Sequence, residues 1–106
     1  PDLAFLRFNL GFMLLQQRRV DEAAAELERA VEQDPTMGVA RFALAAAYAV
    51  LGRNDEAWAI LETLARTYKQ DMPQWLDGDA FYLNAIRRDI KYPALCRILG
   101  IPPESE

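Results

Sequence analysis

Phe5, Phe8, Phe12 and Leu15 recur at spacings of three, four and three residues, which lays three phenyl rings and a leucine along one side of a helix. The chemistry such a row offers is association, since burying apolar surface releases roughly 25 cal/mol per Å². The row can form a groove for an extended or helical peptide, or it can pack on a neighbouring helix, on the end of the same chain or on a further repeat. Covalent chemistry has little to work with. The chain has no His, so the commonest general base is missing. Its one cysteine, Cys96, falls on the apolar stripe Tyr92, Leu95, Cys96 and Leu99 and reads as a small buried hydrophobe. One cysteine without His makes neither an internal disulfide nor a zinc site of the usual kind. Asp77-Gly78-Asp79 begins like a calcium loop, but Arg88 stands where its bidentate Glu belongs, so a turn is the better reading. No catalytic residue, cofactor or metal is expected, and an enzyme is the least favoured class.

Composition narrows the partner. With 106 residues, 52% of them apolar, the chain can build one modest core, and a single domain over residues 1–106 is expected. A net charge of −4 argues against a phosphate-seeking surface, so nucleic acid is not an expected partner. No apolar run reaches the roughly 18 residues of a membrane span, and Pro1-Asp2 does not open a signal peptide. A cytoplasmic location is therefore expected, with no membrane partner, and a start at Pro1 reads as a piece of a longer protein.

The elements that must carry these residues are helices. Leu3, Leu6, Leu10, Gly11 and Leu14 form a stripe at helical spacing that should meet a partner helix. After Arg18-Arg19-Val20, Asp21 is placed to cap a second helix whose apolar positions are Ala23, Leu27, Ala30 and Val31, and Asp34-Pro35 stops it. The pattern then repeats. Arg7, Phe8, Leu10, Arg19, Asp21, Glu22, Ala23 and Leu27 return 34 positions later as Arg41, Phe42, Leu44, Arg53, Asp55, Glu56, Ala57 and Leu61. Gly52 supplies the second turn and Asp55 its expected cap, while Ala45, Ala46, Ala47 and Ala49 allow close approach to Ala57, Leu61 and Leu64. A fixed period in this range marks units that bury their apolar faces only by stacking. Repeats of about 3–36 and 38–70 follow, with a closing tail over about 71–102 where the period breaks.

These residues resemble the tetratricopeptide repeat family. Its pattern is met by Phe8, Leu10-Gly11, Leu14, Ala23, Leu27, Ala30 and Pro35, and again by Phe42, Leu44-Ala45, Tyr48, Gly52, Ala57, Leu61 and Leu64. Arg7 and Arg41 replace the usual Trp, and Lys69 replaces the closing proline. The tail, from Phe81 through Ile86-Arg87, Asp89, Tyr92 and Leu95 to Leu99-Gly100-Ile101-Pro102, is similar to tails that close such regions in bacterial adenylate cyclase-like and winged-helix signalling proteins. Asp89-Ile90 replaces that pattern's Asp-Pro. The resemblance implies an all-α solenoid of two helix-turn-helix repeats with a C-terminal capping helix. It also implies that Phe5, Phe8, Asn9, Phe12 and Gln16, with Val39, Phe42, Ala43, Ala46 and Val50 in the second copy, lie toward a concave protein-binding groove.

The implied function is a scaffold or regulatory module that binds a protein or peptide on that face. The alternative is a homodimer that buries it, since about three repeats are normally needed for stability. A clamp for a C-terminal carboxylate at Asn9 lacks its charge-assisted donors, because Phe5, Phe42 and Ala43 stand in their place. Six acidic residues against one Arg in 21–34, and four basic residues against Asp89 in 87–97, allow charge-steered self-association, but two ordinary solvated helix faces are favoured. Trp58 and Trp75 read as packing residues.

Overall fold

A computed structural model describes residues 3–103, which are helical with no strand among them. Two helix pairs follow in order, α1 (Leu3–Gln16) with α2 (Val20–Gln33) and α3 (Gly38–Val50) with α4 (Asn54–Thr67). The expected single closing helix is instead three short ones, α5 (Met72–Trp75), α6 (Phe81–Arg87) and α7 (Tyr92–Leu99). Pro73 and Pro93 stand in the first turns of α5 and α7, where the missing N–H leaves no bond unmade.

Local chemistry sets the turns. Helices α1, α3 and α7 each end in a residue with positive φ, at Arg18, Gly52 and Gly100. In each case the next residue's N–H reaches back to a carbonyl five positions earlier, Arg19 to Leu14, Arg53 to Tyr48 and Ile101 to Cys96. The following helices are not capped as the spacing predicted. The cap positions are Arg19 and Arg53, with no side-chain cap hydrogen bond, and Asp21 and Asp55 sit one step inside the first turn. Each arginine instead forks onto the glutamate three residues on: Arg19 Nε and Nη2 donate to Glu22 at 2.7 and 2.8 Å, and Arg53 Nε and Nη2 donate to Glu56 at 2.8 Å each. The arginine pair preorganises the turn, and the acidic first turn suits the positive end of the helix dipole.

The core centres on α3. Ten of its 13 residues are buried, so it is covered on every side, by α2, α4 and α6. Its alanines, six in all at 40, 43, 45, 46, 47 and 49, admit these neighbours closely. Gly11 serves the same end in α1, since a Cβ there would lie 2.7 Å from Leu27 Cγ. Between the repeats, Tyr48 donates from its hydroxyl to Glu28 at 2.6 Å while Arg53 stacks on the Tyr48 ring at 4.1 Å. Arg7 ties α1 to α2 through Glu26 at 3.2 Å. The acidic stretch of α2 is thus largely engaged within its own chain. At the far end, Tyr92, Leu95, Cys96 and Leu99 of α7 are buried, and α7 packs on α4 as a cap.

One expected contact is corrected. Of the stripe meant to meet a partner helix, only Gly11 and Leu14 are buried; Leu3, Leu6 and Leu10 are 51%, 58% and 45% exposed, with Met13 at 53% beside them. The positions 34 residues on from Leu6, Leu10 and Met13 are Ala40, Leu44 and Ala47, all buried in α3, on which α2 packs. Among the described residues no helix plays the part of α2 for α1.

Candidate protein-binding groove

The concave side is built by α1 and α3 and is partly filled by the tail. Helix α6 packs on α3 and also reaches α1, where the Tyr82 ring meets Phe12 edge-on at 6.1 Å and the Arg18 guanidinium lies 4.2 Å over Phe81. Beside it, Trp75 of α5 packs on Phe42 at 5.7 Å and on Tyr68 at 5.6 Å. What remains open is a cavity of about 420 Å³ lined by Phe8, Asn9, Phe12, Val39, Phe42, Ala43, Trp75 and Tyr82.

The helical spacing of the aromatics produces this wall. Phe5, Phe8 and Phe12 follow one another along α1 with ring centroids 6.5 and 5.9 Å apart, the second pair nearly parallel. Phe8 and Phe12 are half-buried and line the cavity with Asn9, and Phe42 forms its floor at 5% exposure. Phe5 lies beyond, packed on Phe8 and half exposed. Gln16 is exposed at the end of α1 and does not line the cavity. Ala46 is fully buried, which corrects its place among the groove residues: with α6 lying on α3, its methyl group is not open to a ligand. Two lining residues were missed as such, Trp75, read only as packing, and Tyr82. Their signal was the aromatic density of a non-repeating tail, which has no period to assign it a face.

The groove offers a mainly apolar surface. The lining residues that carry a polar side-chain group are Asn9, Trp75 and Tyr82, and burial raises the pKa of the Tyr82 hydroxyl. Few donors on an apolar wall match recognition of an apolar side chain with a little backbone hydrogen bonding. A larger open cavity of about 640 Å³ lies at the 77–79 turn, where Arg87 donates to the carbonyls of Leu76 and Gly78 and so serves to hold the loop. Among the described residues no group of three or more His, Cys, Asp or Glu side chains could hold a metal ion, and no helix is long and apolar enough to cross a membrane.

Comparison with known proteins agrees with the helix pairs. No curated protein and no solved structure matches this chain. A family description, tetratricopeptide repeat, matches residues 14–78, from the last turn of α1 through α2, α3, α4 and α5. With well over half of the sequence matched and paired helices repeating every 34 residues, the chain belongs to the tetratricopeptide repeat family.

Proposed function

We propose that this chain is an interaction module that takes a peptide segment of a partner protein in the groove between α1, α3 and the tail. Repeats of this family generally mediate protein–protein interaction. The observation that carries the reading is the open cavity walled by Phe8, Phe12, Phe42, Trp75 and Tyr82: five aromatic rings around a space large enough for one or two side chains. Aromatic anchors in such a pocket dominate binding energy when a partner fills it. We place the module in the cytoplasm, as a regulatory part of a larger bacterial signalling protein; the tail pattern from Phe81 to Pro102 supports that assignment.

Peptides selected from a random displayed library on the immobilised chain test the groove. Phe12→Glu, which sets a carboxylate on the half-buried wall, should weaken a selected apolar peptide at least tenfold while the helical circular dichroism is retained. Peptides that bind the variant as well as the parent would place the interface elsewhere.

A second reading, self-association, is favoured by the outer face of α1. Leu3, Leu6, Leu10 and Met13 present apolar surface whose counterpart in the second repeat is covered, and no acidic residue stands on α1 to oppose packing against another copy. Sedimentation at micromolar concentration decides it: a strict monomer refutes self-association, and a dimer broken by Leu6→Glu but not by Phe12→Glu assigns it to this face and not to the concave one.

A further inference from the structure

Arg18 occupies a backbone position that its own repeat partner gives to glycine. Gly52 lies 34 residues on and closes α3 at φ 82°; Arg18 closes α1 by the same hydrogen bonds at φ 66°, a conformation that side chains other than glycine, asparagine and aspartate rarely adopt. Backbone held against its preference in this way marks places where the side chain has a task. Part of that task is visible, since the guanidinium stacks 4.2 Å over the Phe81 ring. That contact leaves the N–H donors unspent: the Arg18 side chain makes no hydrogen bond or ion pair with any described residue.

Those donors border a cavity of about 410 Å³ at the other side of the first turn of α6 from the aromatic groove, so that Tyr82 lines one space and Phe81 the other. Arg88 and Asn84 of α6 line it as well, over a floor of Ala49 and Val50, and no carboxylate is among its walls. Arg88 is exposed and likewise has no side-chain partner among the described residues. In a chain of net charge −4, two unpaired guanidiniums and an amide share one concave space adjoining an apolar groove.

The geometry points to a carboxylate subsite formed by Arg18, Arg88 and Asn84, which deepens the groove reading and rests on it by naming the partner's class: a mainly apolar peptide with one acidic side chain. Planar guanidinium donors match a carboxylate in two-pronged fashion, and a site shielded on one side by Phe81 strengthens the pair. The net negative charge of the chain disfavours a polyanion, so an isolated carboxylate is the form that approaches. Ala43 lines the groove and Val50 the subsite, seven residues apart on α3, which is about 10 Å at 1.5 Å per residue. A peptide in polyproline-II conformation, with three residues per turn at roughly 3.1 Å each, covers that distance in about three residues and brings its side chain back to the same face, so the apolar and acidic side chains should stand three positions apart.

The test compares acetyl-Phe-Ser-Ser-Glu-amide with its Gln analogue by nuclear magnetic resonance titration of the full chain. The Glu peptide should bind at least tenfold tighter, moving the Nε–H signals of Arg18 and Arg88 together with the amides of Phe12 and Phe42. Arg18→Gly, which relieves the backbone and so keeps the fold, and Arg88→Gln should each bring the Glu peptide down toward the Gln peptide. Equal affinity of the two peptides for the parent chain overturns the subsite and leaves the groove standing. If neither peptide binds, acetyl-glutamate-amide decides: saturable movement of both arginine signals, lost in Arg18→Gly, upholds the subsite while the groove reading fails, and no movement overturns it too. Inorganic phosphate that moves the same signals more strongly than acetyl-glutamate-amide refutes the assignment to a carboxylate.

Discussion

Replacing Gly38 by alanine sets helix preference against packing at the start of α3. A Cβ at this position would lie 2.7, 2.7 and 3.0 Å from three atoms of the Tyr68 ring, where carbon atoms prefer 3.5–4.0 Å. The ring is held in place at both ends. Its hydroxyl donates to the Thr36 carbonyl at 2.8 Å, and its face packs on Trp75 at 5.6 Å, which in turn packs on Phe42 in the groove floor. Overpacking of this kind costs about 1–3 kcal/mol, and the helix gains at most about 1 kcal/mol from Gly→Ala, less at a first-turn position. Gly38→Ala should therefore destabilise by about 1–2 kcal/mol, a fall in Tm of roughly 5–10 °C for a domain of this size. Thermal unfolding followed by circular dichroism measures it. In a Tyr68→Leu background the obstacle is gone, and the same alanine should be neutral or mildly stabilising. An alanine that stabilises the parent chain, or that costs the same with Leu at position 68, would refute the close approach and with it the route by which α4 props Trp75 against the groove.

Three further outcomes follow from the same packing. Burial first, and then the hydrogen bond to Glu28, push the Tyr48 hydroxyl up to about 12; because the folded chain holds this proton more tightly, the associated stability is intact below pH 10 and falls by about 2–3 kcal/mol between pH 10 and 12. Tyr48→Phe should flatten that alkaline loss in urea titrations at each pH; an unchanged alkaline limb would refute the Tyr48 assignment. Gly52→Ala should cost about 1–2 kcal/mol at its positive φ, whereas Arg18→Gly at the equivalent place should change stability by under about 1 kcal/mol, backbone relief offsetting the lost stacking on Phe81. Leu44→Ala should cost about 2–5 kcal/mol, and Leu10→Ala, one repeat earlier but 45% exposed, under about 1 kcal/mol in a monomer; equal losses would mean that the α1 face is covered in solution.

The helix pairs, their 34-residue register, the turns at Arg18 and Gly52, and the buried stripe of α7 are all legible in the linear order of residues, because each depends on interactions within a few positions of the chain. The caps were legible only in outline. Arginine forks to Glu22 and Glu56 replaced the expected Asp21 and Asp55 caps, since the carboxylate that fits a turn depends on exact backbone geometry within one residue. Periodicity also identified two apolar stripes on α1, yet it could not say which is covered. Exposure is a property of neighbours: Leu10 and Leu44 occupy equivalent places and differ in burial because α3 is covered by α2, α4 and α6. The same holds for the candidate site. Helical spacing set Phe8 and Phe12 on one side of α1 and the family resemblance set Phe42 beside them, whereas the burial of Ala46, the entry of Trp75 and Tyr82 into the wall and the meeting of Arg18 with Arg88 come from α5 and α6 folding back across the concave side. That return depends on contacts between residues 70 and 63 positions apart, Phe12 with Tyr82 and Arg18 with Phe81, and no local rule encodes contacts of that range.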